Sequence, residues 1–141
     1  SQPWKFVVVD DFEKKEQIAE CSIGLGMNKF THQCPVIVAV VLEKQNFMST
    51  IGSMIKNKDY SLFDLGIAVN QFCLQAADLG LGSCWIHRAK EEFATDWGKA
   101  VLAKLGITEE YEGIAHCAIG YIEGDIPAPA PRKEHRVYRI D

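Results

Sequence analysis

FDLGIAVNQFCLQAADLGLGSCWI, Phe63 to Ile86, carries the clearest helical pattern in this 141-residue chain, and a strand follows it. At about 100° per residue, Asp64, Gln71, Gln75 and Asp78 fall in one narrow polar stripe, and nearly every other residue is apolar. The spacing predicts a helix over 62–79, opened by Ser61 and Asp64 in capping-box form and ended by Gly80 at C′. A helix this apolar has more than one face to bury: one on its own sheet, another expected on a second subunit. LGSCWI, after Gly80, reads as a short strand entering a loop at His87 and Arg88.

Further strands flank this unit. Lys5 to Val9 is continuous and largely β-branched, the pattern of a strand covered on both faces, so a place in the middle of a sheet is expected. Asp11 to Glu20 reads as a short surface helix ending near Gly24 and Gly26. Pro35 to Leu42 (PVIVAVVL) and Ile114 to Ile122 (IAHCAIGYI) are two more almost wholly apolar strands, Pro35 standing where a missing N–H is tolerated. Glu91 to Leu105 reads as helix, restarted at Thr95 and stopped by Gly106, whereas Asn46 to Asp59 is ambiguous between a short helix and a loop. Buried strands alternating with helices indicate a sheet with helices on both faces.

The composition, 48% apolar and 24% charged, is that of one globular domain. A formal charge of −4 and a pI near 5.6 exclude a general nucleic-acid or anionic-membrane surface, which needs clustered excess Lys and Arg. Five cysteines, an odd number mostly inside apolar runs, fit a reducing cytoplasm better than a disulfide framework. No apolar run reaches the ~20 residues of a membrane span, and no signal peptide is visible. Because the first residue already stands at a strand, a targeting segment lost upstream stays open.

Several short patterns invite chemistry. GLGMNK (Gly24 to Lys29) and GLGSCW (Gly80 to Trp85) contain G-x-G but not the G-x-G-x-x-G dinucleotide fingerprint, and helix termination accounts for them. Cys84 with His87, or His116 with Cys117, lacks a repeated metal-ligand spacing, and adjacent strand residues point to opposite faces; no metal is expected. A Cys84 nucleophile lacks a third orienting group. GDIPAPAPRKEHRVYRID is an extended arm carrying Arg132, Lys133, Arg136 and Arg139, either a solvated basic face or a phosphate-binding one, and such an arm is expected to dock on a partner.

Taken in order, SQPWKFVVV, DLGIAVNQFCLQAADLGLGSCWI, the strand ending in GY and the tail bearing PRK resemble the FMN-dependent nitroreductase family over nearly the whole chain. The resemblance implies an α/β (α+β) sandwich with a central, mostly antiparallel sheet and a homodimer that exchanges its C-terminal arms. A core over 1–124 and an arm over 125–141 follow from it. It also implies FMN sites at the subunit interface. Ser1 and Gln2 would be the remaining edge of the flavin pocket. Trp85, Ile86 and His87 would lie against the ring, a backbone N–H near His87 facing it. Asn28 or Lys29 would reach the pyrimidine edge, and Arg132 and Lys133 would hold the phosphate.

One departure stands out: the family's Arg-rich R-x-S-x-R segment does not occur in this sequence. A portion of a longer protein is therefore expected, rather than a natural short form with a reduced cofactor site. The activity the resemblance implies is NAD(P)H-dependent, ping-pong reduction of nitroaromatics, quinones or similar small acceptors, with the chemistry centred on the flavin and no catalytic side chain required. The competing readings are a non-catalytic flavin- or ligand-binding homodimer and a structural dimer without a ligand.

Overall fold

Six consecutive fully buried residues, Ile37 to Leu42, leave strand β2 (Val36–Glu43) no place but the interior of a sheet. It pairs antiparallel with β1 (Trp4–Val9) on one side and β4 (Tyr111–Tyr121) on the other, and β4 pairs antiparallel with β3 (Leu81–Ile86). The order is β1-β2-β4-β3. Helices α1 (Phe12–Glu20), α2 (Ser61–Asp78), α3 (Ala89–Phe93) and α4 (Asp96–Lys104) and a 3-10 turn (Lys29–His32) complete it. This computed structural model describes residues 2–45, 50–52, 54, 60–136 and 138–140; most of the ambiguous 46–59 segment, and Ser1, lie outside them. The mostly antiparallel sheet with helices on both faces is the expected fold class.

Strand alternation divides the core. Ile37, Ala39 and Val41 pack with Ile18 and Ala19 of α1, Phe93 of α3, and Val101 and Leu102 of α4. Val40 and Leu42 face the other way, onto Leu65 and Val69 of α2, with Trp4, Phe6, Cys73 and Trp85 around them. Each fully buried Val, Leu or Ile contributes roughly 1.5–3 kcal/mol. Between Val40 and Val41 the register slips, Val40 facing Ala115 and Val41 facing Gly113, so Ile114 is the extra residue of a bulge.

Some of the helix ends obey local rules and others do not. Gly80 has φ +73°, the left-handed conformation that favours glycine after a helix. Thr95 restarts the chain as expected: its Oγ1 accepts from the Gly98 N–H at 3.0 Å. The capping box at Ser61 does not form. Tyr60 occupies the cap without a side-chain hydrogen bond, and Ser61 is the buried first residue of α2.

The sequence also places β1 in mid-sheet, and the structure corrects this. Among the described residues β1 pairs with β2 alone, and Val8 is 65% exposed. The run is not covered on both faces either, since Lys5 and Val8 are exposed and only Val9 is buried, so a continuous apolar run fixes neither the cover nor the number of strand neighbours. Gly24 differs as well. It lies beyond the end of α1, and the Arg88 guanidinium lies so close against it that a Cβ there would overlap the side chain.

His116 on β4 is wholly buried, edge-on to Phe93, and neither ring nitrogen has a hydrogen-bond partner among the described residues. Burial pushes its pKa down from 6.5 to about 4. Above pH 6.5 the unfolded imidazole is also neutral and no penalty arises. As pH falls from 6.5 to 4 the unfolded chain takes up a proton that the folded chain refuses, so stability declines, by up to about 3 kcal/mol. Glu16, held below its usual value of 4.5 by hydrogen bonds from Lys15 and then His32, keeps its contribution above about pH 4.5 and loses it as pH falls further. Denaturant midpoints measured across pH 7 to 4.5 are expected to fall for the parent protein and to stay flatter in His116→Leu.

Candidate functional site

One end of the sheet gathers Gln2, Trp85, Ile86 and His87 from among the residues singled out from the sequence. There Trp4 pairs with Leu42, the Glu43 N–H donates to the Pro3 carbonyl at 2.8 Å, and Ile86, at the end of β3, pairs with His116. The α1-to-turn loop also reaches this end, through the contact of Gly24 with Arg88.

A cavity of about 570 Å³ opens here, between α2 and the end of β3. Leu62, Leu65, Gly66, Val69, Asn70 and Cys73 line it from α2, Ile114 from the β4 bulge, and Trp85, His87, Lys90 and Glu91 from β3 and beyond. The wall is mainly apolar. Trp85 and His87 stand two residues apart and both reach the cavity, whereas Ile86 between them is buried, as strand alternation requires. The Trp85 indole N–H donates to His87 Nε2 at 2.7 Å, the rings meeting edge to face. Lys90 Nζ lies 3.9 Å from a Glu112 carboxylate oxygen.

Gly66 had no role in the sequence reading, yet it explains the space. A glycine inside a helix costs about 1 kcal/mol relative to alanine. Here a Cβ would meet nothing within 4 Å. The apolar lining residues read as ordinary core in the sequence; the glycine in the midst of a strongly apolar helix was the signal that could have marked a cavity.

The other expected site residues stand apart from the cavity lining. Gln2 is exposed at the same sheet end, and Ser1 lies outside the described residues. Asn28 (φ +59°) donates from Nδ2 to the Ser22 carbonyl at 3.1 Å. Ser22 and Thr31 share a hydroxyl hydrogen bond of 2.9 Å, so the loop is closed on itself and Asn28 is partly committed. Lys29 is exposed. Arg132 and Lys133 lie exposed in the extended tail, with no ion pair to a described residue. The thiols are quiet: burial pushes Cys21 and Cys117 up to about 12, and the neighbouring Cys73 adds to the shift of Cys117.

Comparison with known proteins supplies the family. A sequence profile described as "Nitroreductase family" matches residues 22–121. An FMN-dependent nitroreductase from Clostridium difficile R20291 has 26% identity and a TM-score of 0.68, the alignment covering 92% of this chain and 69% of that one. A nitroreductase with bound FMN from Bacteroides fragilis NCTC 9343 superposes with TM-score 0.74 at 20% identity, over 99% and 76% of the two chains. Another with bound FMN, from Desulfitobacterium hafniense DCB-2, reaches 0.71 at 18% identity, over 97% and 76%. No curated protein is significantly similar in sequence. With the profile spanning well over half its length and the fold shared, the chain belongs to the nitroreductase family.

Proposed function

We propose that this chain forms the core of an FMN-dependent oxidoreductase that takes electrons from NAD(P)H and passes them, in a ping-pong cycle, to nitroaromatics, quinones or similar electron-poor acceptors. The observation that carries the reading is the cavity between α2 and the Trp85–His87 segment. It has a mainly apolar wall and a volume of about 570 Å³, and Gly66 borders it without a side chain. A flavin ring fits such a wall; bound there, it would supply hydride transfer.

The chain's own residues then bind, orient and exclude water. Leu65, Val69, Trp85 and Ile114 would shield the ring system, and the backbone N–H of His87 would donate to it. Gln2, with Ser1 and with Asn28 or Lys29, would serve its polar edge. Arg132 and Lys133 would hold the phosphate, Arg bidentately and Lys as a point charge.

The same reading makes the protein a homodimer. Leu62, Phe63, Ile67 and Leu74 of α2 are 44–69% exposed, a stripe too apolar to face water. The outer edge of β1, which no described strand pairs with, and the arm from 125 onward would offer a second means of joining two subunits. Association would also complete cofactor sites that a single chain leaves open.

The purified full-length protein is expected to be yellow, to bleach with NADPH or NADH and to recolour with a quinone or nitroarene; a colourless protein that takes up no FMN would refute the proposal. Replacing Arg132 and Lys133 together by Ala should weaken FMN binding by about 1–3 kcal/mol per bond lost, read by flavin fluorescence titration. Ile67→Glu should convert the dimer to monomer in light scattering and lower flavin occupancy with it.

A further inference from the structure

We infer that the side chain of His87 is a neutral hydrogen-bond donor of fixed tautomer that selects aromatic ligands bearing an acceptor oxygen. This rests on the oxidoreductase reading and adds to it a specificity-determining residue, since that reading uses only the backbone of His87.

The argument begins with the indole. A tryptophan Nε1–H can donate but never accept. Its 2.7 Å contact with His87 Nε2 therefore requires that nitrogen to be the unprotonated one. The proton of the neutral imidazole must then sit on Nδ1. In water both tautomers of a histidine interchange; beside Trp85 one of them is selected, and protonating Nε2 would break the bond that selects it. The edge-to-face contact of the rings, 5.3 Å between centroids at 87°, holds the imidazole against rotation. Nδ1 has no hydrogen-bond partner among the described residues, and His87 lines the cavity.

The surroundings give this N–H its discriminating power. Leu62, Leu65, Val69 and Ile114 cannot accept a hydrogen bond, and Asn70 and Glu91, the acceptors that also line the cavity, do not pair with Nδ1, so an oxygen-free aromatic ligand would leave the donor unpaired when it displaces water. A nitro, quinone or phenolate oxygen would pair with it. That is the asymmetry by which a site with a fixed donor rejects analogues lacking the matching atom. Lys90, which also lines the cavity, has the Glu112 carboxylate 3.9 Å away, and Glu91 carries the wrong sign to attract an oxygen. An oxygen that gains negative charge on reduction would bind Nδ1–H more tightly than the neutral one. Trp85 is then a positioning residue, acting through His87.

Two measurements test this on the full-length protein, and neither depends on turnover. Nitrogen-15 NMR of the imidazole should show Nδ1 protonated and Nε2 unprotonated in the parent protein, and a mixture of tautomers in Trp85→Phe. An Nε2–H tautomer in the parent would overturn the inference. Ligand titration with 4-nitrophenol, followed by its visible phenolate band, and with naphthalene as the oxygen-free control, gives the second readout. His87→Phe should weaken 4-nitrophenol about ten-fold relative to naphthalene, and His87→Gln, which keeps an N–H, should recover part of that loss. Equal weakening of both ligands would overturn the inference. So would unchanged 4-nitrophenol binding together with a shifted flavin spectrum and potential, which would assign the donor to the cofactor. Selective 4-nitrophenol binding by a protein that takes up no FMN would support the donor and refute the oxidoreductase reading, so the two failures are distinct.

Discussion

The double-sided burial of β2 governs the architecture. Six successive apolar residues need a strand neighbour at each edge and a helical layer on each face, and one chain must provide all four. β1 and β4 supply the edges, α2 covers one face, and α1 with α3 and α4 covers the other. With that strand enclosed, Gln2 to Trp4 before and at the start of β1 and Trp85 to Arg88 at the end of β3 lie toward the same end of the sheet, on its two opposite margins.

The bulge opposite Val40 and Val41 turns this enclosure into a site. Without it, β4 would run in regular alternation beneath α2. The extra residue puts Ile114 into the cavity wall and lets Gly113 lie under Phe93 on the opposite face. The cavity thus owes its shape to an irregularity in the sheet and to a missing side chain in the helix, both in elements that the core otherwise holds rigid. Such placement would hold the planar ring of the proposed function against groups whose own positions are fixed by packing.

Much of this was legible because the signals were periodic. The polar stripe of α2, the unbroken run of β2 and the glycine after α2 each have one structural reading. Thr95 also announced its restart, by hydroxyl chemistry at a helix boundary. What could not be read were neighbours. Lys5 to Val9 shows a strand but neither the cover of its faces nor its edges, so the exposure of Val8 and the position at the sheet margin were hidden. Ser61 and Asp64 have the form of a capping box, but burial of Ser61 prevails over a cap available in isolation. The cavity wall was concealed by its own chemistry, because Leu65, Val69 and Ile114 resemble core whether or not a ligand meets them. His87 was found for its backbone; its Trp85 partner is a matter of three-dimensional ring placement that spacing alone does not reveal.

The open margin of β1 has a consequence for colloidal behaviour. A row of peptide groups that no described strand pairs with, beside the exposed Val8, is a template for another strand, and templates of this kind propagate unless something terminates them. Symmetry decides which outcome follows. A reciprocal exchange between two copies closes on itself and ends growth, whereas a one-way, head-to-tail pairing along the same margin leaves a fresh edge each time and grows into a filament. In the proposed dimer, reciprocal pairing along this margin would therefore serve solubility as well as shape, and a variant that lost reciprocity would be exposed to polymerisation before it lost its fold.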